Sequence, residues 1–103
     1  MMTWQQAAQL SELDESYPTA CTVGGVPIAV DLVGGKVCAT SNRCTHGQAV
    51  LSDGYQEGGE IECPLHQGRF DIATGKAMCA PLTEDLKVYP AEVRDDAVWI
   101  KVG

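Results

Sequence analysis

Four side chains in this sequence have the types and spacing to hold metal: Cys44, His46, Cys63 and His66. They form two short pairs, Cys44-Thr45-His46 and Cys63-Pro64-Leu65-His66, with sixteen residues between His46 and Cys63. The chain has only two histidines, and each stands within three residues of a cysteine here. Thiolate sulfur and neutral imidazole nitrogen suit zinc and iron–sulfur centres. Two chemistries therefore fit the set. One is a single structural zinc, tetrahedral and closed. The other is a two-iron cluster in which two histidines replace two cysteines on one iron. A common zinc finger pairs Cys with Cys and His with His, whereas here each loop offers one of each. Two such loops meeting like jaws would give one metal both sulfurs and another both nitrogens. That arrangement suits a two-metal cluster better than a single ion. The remaining reading makes His46 and His66 ordinary polar loop residues.

A loop pair of this kind needs a frame, and the flanking sequence reads as antiparallel strands. Gly24-Gly25 separates 20–23 from 26–33, and Gly34-Gly35 separates that stretch from 36–40. Double glycine supplies the positive φ of tight hairpins. Between the turns, Val26, Ile28, Val30 and Leu32 alternate with Pro27, Ala29 and Asp31, a period of two with one apolar face toward a core. Pro27 cannot donate to a ladder and belongs at an edge or a strand start. Near the C-terminus, 86–92 and 97–102 flank a turn at Asp95-Asp96. Val98, Ile100 and Val102 share one face; Trp99 and Lys101 share the other. Residues 69–72 lead to a hairpin tip at Thr74-Gly75-Lys76. The only helical signals are weak and short, at 5–10 and 11–15. Residues 42–82 are rich in glycine and loops, and read as a small metal-binding lobe inserted into a β-sandwich or barrel base. The expectation is an all-β chain with one domain over 1–103.

Fourteen carboxylates face seven Lys plus Arg, a formal charge of -7. That balance argues against nucleic acid and anionic membrane as partners, since both need basic patches. It suits either solubility or fast, salt-sensitive docking to a basic protein surface. The N-terminus has no basic start or apolar h-region, and no apolar run approaches the roughly 20 residues of a membrane span. A cytoplasmic protein is expected. Five cysteines cannot all pair. Cys21, Cys38 and Cys79 are expected as small buried apolar residues.

The spacing Cys-x-His, sixteen residues, Cys-x-x-His, with Gly47 and Gly68 following, resembles the Rieske iron–sulfur motif. The lengths on either side also fit, so the resemblance spans nearly the whole chain. It implies an antiparallel β fold with a cluster lobe at one tip and one Rieske-type 2Fe-2S cluster. Cys44 and Cys63 would hold one iron, and His46 and His66 the other. Pro81 resembles the proline loop that covers the cluster from a third side. Respiratory-chain relatives carry a disulfide between the two loops; Ala49 and Leu65 stand at those positions here. Those relatives also place hydroxyl donors where this chain has Gly68 and Phe70. Without them, the reduced cluster is less stabilised, and a potential on the order of -150 mV, the low end of the Rieske range, is expected.

No histidine remains for a second, mononuclear iron site, and no glycine-rich nucleotide fingerprint is present. "Cys-Thr-His-Gly", "Ser-Asp-Gly-Tyr", "Glu-Cys-Pro-Leu-His-Gln-Gly-Arg-Phe-Asp" and "Thr-Gly-Lys-Ala-Met-Cys-Ala-Pro" resemble the soluble Rieske-type ferredoxins of bacterial multicomponent aromatic-ring dioxygenases, naphthalene/salicylate branch. The resemblance implies a monomeric one-electron carrier, not itself an enzyme and with no catalytic residues. It would run from an NAD(P)H-dependent ferredoxin reductase to the Rieske centre of a terminal oxygenase. A regulatory module like nitrite-reductase small subunits, or a zinc-stabilised binding module, are the alternatives. Asp53, Glu57, Glu60 and Glu62 are candidate docking carboxylates. Arg69 faces either the cluster, a partner, or an ion pair with Asp71 or Glu62. Trp4 and Trp99 are expected in the core or at its rim.

Overall fold

The computed structural model describes residues 3–45, 49–64, 68–78 and 84–102. Among these residues, ten strands form three antiparallel sheets. The first sheet orders β1 (Thr3–Gln9), β10 (Ala97–Val102) and β9 (Ala91–Arg94). The second orders β2 (Thr19–Val23), β3 (Val26–Val33), β4 (Lys36–Ser41) and β8 (Val88–Tyr89). The third, smaller sheet orders β5 (Tyr55–Glu57), β6 (Glu60–Glu62) and β7 (Arg69–Asp71). Four hairpins close on two residues that both have positive φ: Gly24-Gly25, Gly34-Gly35, Gly58-Gly59 and Asp95-Asp96. Turns of this hand match the right-handed twist of the strands they join. The all-β expectation holds, and both short glycine pairs fall where the sequence placed them.

The second sheet is the middle layer. Ile28, Val30, Val37 and Ala39 on one face meet Ala8, Val98, Ile100 and Val102 of the first sheet in one buried apolar cluster. On its other face, Val33 and Cys38 pack against a second cluster formed by Cys44, Leu51, Ile61, Cys63, Phe70, Ile72 and Leu86. This second cluster is the core of the inserted lobe. Pro27 lies at the start of β3, beyond the first rung to β4, where its missing N–H costs nothing.

Three local expectations are corrected. Most of the weakly helical 5–10 stretch lies in strand β1, because Gln5, Gln6, Ala8 and Gln9 find rungs on β10; non-local pairing outweighs a helical propensity that one or two turns cannot sustain. A register shift between Gln6 and Ala8 turns Ala8 into the core. Among the described residues the only helical turns are three-residue 3₁₀ segments, Leu10–Glu12 and Leu51–Asp53. The expected strand 86–92 is two strands that change sheets at Pro90, which has no N–H to continue a ladder. Cys21 and Cys38 are half-buried rather than buried. Each thiol is pushed up first by burial. Cys79 lies outside the described residues.

Trp4 and Trp99 occupy the rim. Both are half-buried on the outer face of the first sheet, with the Arg94 guanidinium 5.2 and 5.1 Å from the two ring centroids.

Alternation along β3 turns Asp31 away from the first core, but that side is not solvent. The lobe covers it, and Asp31 is fully buried. Neither carboxylate oxygen has a hydrogen-bond partner among the described residues. Burial pushes its carboxyl up to about 7, against about 3.9 in an unfolded chain. The folded state therefore holds the proton more tightly than the unfolded one. Stability falls as pH rises from about 4 to about 7, by about 4 kcal/mol in total, and stays lower above that. Asp31→Asn carries no such titration. Thermal midpoints of the loaded proteins between about pH 5 and pH 8.5 are expected to decline for wild type and to diverge progressively in favour of the variant.

Candidate metal centre

The lobe sheet obeys a strict two-residue period. Gln56, Ile61 and Phe70 form one cross-strand row, all buried against the middle sheet. Tyr55, Glu62 and Arg69 form a row on the opposite, outer face, and Glu57, Glu60 and Asp71 form another. Cys63 follows directly on the half-buried Glu62 that ends β6, and continued alternation carries it inward to full burial.

Both cysteines sit at the base of identically closed loops. The Cys44 N–H donates to the Ala49 carbonyl at 3.0 Å, and the Cys63 N–H donates to the Gly68 carbonyl at 2.7 Å. Each bond closes a six-residue tip whose first residue is the cysteine. Below each tip a ladder continues: Arg43 pairs with Val50, and Glu62 pairs with Arg69. The two thiols belong to the same buried apolar cluster. His46 and His66 belong to the two tips by sequence and lie outside the described residues, as do Gly47 and Pro81.

Several positioning residues were not visible in the motif. Asn42, almost fully buried, clamps the first loop to the turn that follows it. Its Nδ2 donates to Ser52 Oγ at 2.9 Å, its Oδ1 accepts from the Ser52 N–H at 2.8 Å, and its carbonyl accepts from the Leu51 N–H at 2.7 Å. An asparagine before a metal loop is ordinary in sequence, so no signal marked it. Gly54 is needed for close approach: a Cβ there would lie 1.9 Å from the Glu62 carbonyl oxygen, one residue before Cys63. Thr45 Oγ1 donates to the Glu84 carbonyl at 2.8 Å and ties the first loop to the 84–86 segment. That segment is anchored in turn by Leu86, buried beside the cysteines, whose N–H donates to the Gly75 carbonyl at 2.7 Å. Phe70 shares the same cluster, and an apolar ring thus stands in the core next to Cys63.

The outer face of the lobe sheet is acidic. It carries Glu57, Glu60, Glu62 and Asp71 against a single cation, Arg69. Arg69 is ion-paired with Glu62 at 3.3 Å and lies 3.8 Å from Glu60. Of the roles open to it in the sequence, the ion pair with Glu62 is the one the structure contains. Tyr55 hydrogen-bonds Glu62, and that carboxylate holds the phenol above its usual range. Asp53 is exposed on the neighbouring 3₁₀ turn. Glu57 and Glu60 oppose one another at the far end of the hairpin, so the carboxylates line a flank of the lobe.

Two buried thiols at the base of twin loops, each followed by a histidine in the tip, are a donor set that fits a mixed sulfur–nitrogen centre. Comparison with known proteins agrees. Residues 3–90 match the model of the Rieske [2Fe-2S] domain, and the chain belongs to this family. Its cofactor is accordingly one Rieske-type 2Fe-2S cluster. The chain is 50% identical over 99 residues, 96% of this chain and 95% of the relative, to the ferredoxin component of the naphthalene 1,2-dioxygenase/salicylate 5-hydroxylase systems of Ralstonia sp.. Among solved structures it is similar to the Sphingomonas yanoikuyae B1 ferredoxin, with a TM-score of 0.93, 40% identity, and coverage of 98% and 100% of the two chains. It also matches a chain in a complex of reduced oxygenase and oxidized ferredoxin in carbazole 1,9a-dioxygenase, with a TM-score of 0.86, 36% identity, and coverage of 93% and 99%.

If Asn42 holds the first loop in place, Asn42→Ala leaves the Ser52 N–H without its acceptor. A cost of about 2 kcal/mol is expected. The checks are the thermal midpoint and the iron content per chain after dialysis, both of which are expected to fall.

Proposed function

We propose that this chain is the electron-carrying ferredoxin component of an aromatic-ring dioxygenase system, with Cys44, His46, Cys63 and His66 as the ligands of its cluster. The observation that carries the ligand assignment is the paired loop closure, which puts Cys44 and Cys63 at equivalent positions in one buried core. The 2Fe-2S group supplies reversible one-electron oxidation and reduction. The chain's residues do the rest. Cys44 and Cys63 would hold one iron from inside the apolar core, which keeps water from their thiols. His46 and His66, which follow the cysteines in the sequence of the two loops, would hold the other iron and would be the ligands nearest the path of the electron. Phe70 and Gly68 offer no side-chain hydroxyl to the sulfurs, which keeps the potential near the low end of the known Rieske range, on the order of -150 mV.

The carrier shuttles between an NAD(P)H-dependent reductase and a terminal oxygenase, and substrate chemistry belongs to the oxygenase. It works as a single-domain monomer in the cytoplasm, because a shuttle must leave one partner to reach the next. Among the described residues no helix is long and apolar enough to cross a membrane. Complexes with both partners are small and short-lived, burying less than about 1,200 Å².

Electron paramagnetic resonance of dithionite-reduced, anaerobically prepared protein tests the ligand set. A rhombic spectrum with a mean g value below that of all-cysteine 2Fe-2S ferredoxins is expected. It should be lost in Cys63→Ala and changed in form in His66→Cys. A silent spectrum from folded, metal-loaded protein would overturn the carrier reading in favour of zinc.

The acidic flank is the proposed docking surface for a basic partner. Glu57→Lys with Glu60→Lys is expected to slow reductase-coupled reduction by about tenfold at low salt and to flatten its salt dependence, since long-range steering acts chiefly on association rate. Stopped-flow rates at two ionic strengths decide it. Unchanged rates and salt slope would remove this flank from the docking surface.

A further inference from the structure

We propose that Asp31 is a redox-linked proton site: when the protein gains an electron, one proton from solvent settles on the Asp31 carboxylate, and both depart when the electron is passed on. The inference rests on the carrier reading. It begins with the side of the sheet on which Asp31 lies. Val33, two residues along β3, and Cys38, directly opposite Asp31 on β4, both pack against the apolar cluster that contains Cys44 and Cys63. Asp31 shares that face by strand alternation. The carboxyl is therefore on the metal side of the middle sheet, beneath the lobe core.

Its surroundings leave a donor missing. Asp31 Oδ1 and Oδ2 are buried and have no hydrogen-bond partner among the described residues. Gln56 reaches down from the lobe and donates from Nε2 to the Leu32 carbonyl at 2.7 Å, yet its own Oε1 is likewise buried and unpartnered. Among the described residues, acceptor oxygens thus come from both layers with no donor to them. A proton on Asp31 adds an O–H donor and removes a buried charge. An electron arriving in the lobe makes the region more negative, and charges separated by apolar side chains rather than water interact strongly. Reduction must then tighten the hold on that proton. One electron and one proton enter, one O–H bond forms, and the net charge of the protein is unchanged over the step.

The neighbouring charged groups do not fill this role. Cys38 faces Asp31 from β4, and its thiol is held up by burial first and by the Asp31 charge next. Lys36 acts on that thiol in the lowering sense and Asp71, from β7, in the raising sense. For Asp31 itself the cause is burial. A route for the proton is at hand. Cys38, together with Lys36, Ile72 and Tyr89, lines an open groove of about 370 Å³, so the residue opposite the carboxyl is in touch with solvent.

The test is the midpoint potential of loaded wild type and Asp31→Asn, followed by EPR or visible absorbance, from about pH 5 to pH 9. The wild-type potential is expected to fall through the neutral range while the variant stays level there. A tenfold tighter proton in the reduced form corresponds to a fall of about 59 mV. Titration of the histidine ligands is common to both proteins and cancels in the difference. If the asparagine variant does not load, Asp31→Ala replaces it. A second readout needs no variant to establish uptake: the reduced-minus-oxidised infrared spectrum of wild type should gain the carbonyl band of a protonated carboxyl. Potential–pH curves that coincide, or a difference spectrum without that band, would overturn the proposal. A protein with no reducible cluster signal at all would instead bring down the carrier reading on which it rests.

Discussion

A sheet that must be buried on both faces governs this molecule. The β2–β3–β4–β8 layer turns Ile28, Val30, Val37 and Ala39 toward the first sheet and Val33 and Cys38 toward the lobe. An antiparallel sheet in a small domain usually leaves one face to water. Here the second face is closed by Leu51, Ile61, Phe70 and Ile72, and these same side chains surround the two thiols. Fixing the lobe on the sheet and fixing the cysteines in space are therefore one packing problem. The lobe is too small to bury such a core alone, so the middle sheet and the cluster each supply part of what holds it.

Within the lobe, the ligand loops are extensions of hairpins rather than free excursions. Rungs below Cys44 and Cys63 carry strand geometry up to each cysteine, and a backbone bond from each cysteine N–H closes the tip. The thiols are thereby positioned by ladders, which are stiff, while the histidines follow in the tips. Small rearrangement on electron uptake keeps transfer fast, and a preorganised donor set provides it.

The charge pattern follows the same division. The inner row of the lobe sheet is Gln56, Ile61 and Phe70; the outer rows hold four carboxylates and one arginine. A single alternation thus separates a low-dielectric interior, which holds the two thiols, from an acidic outer flank. Asp31 breaks the separation. It is a buried carboxyl on the inner side, without a hydrogen-bond partner among the described residues, where a charge is expensive to keep.

Much of this was legible in one dimension. The Cys/His spacing pointed to the family, the glycine pairs placed two hairpins to the residue, and 26–33 and 97–102 showed their strand period, because these features depend on local backbone rules and on the identity of single residues. The short strands 55–57 and 60–62 were hidden, since three residues of alternation are too few to stand out among glycines. Strand β1 was hidden because its partner lies at the other end of the chain, Thr3 opposite Val102, and only that pairing overrides a helical tendency. Asn42 and Gly54 had no signature, since their value lies in what they touch. The deepest gap concerned Asp31. Its place in an apolar/polar alternation says only that it faces away from Ile28 and Val30. Whether that side meets water or a second core is decided by where the lobe folds back, and a period of two carries no information about what lies above the sheet. The sequence by itself determined the β class and proposed a donor set, through local turn geometry and residue chemistry. The tertiary structure alone decided which of the two faces of the middle sheet was wet, because burial is a property of contacts between segments far apart in the chain.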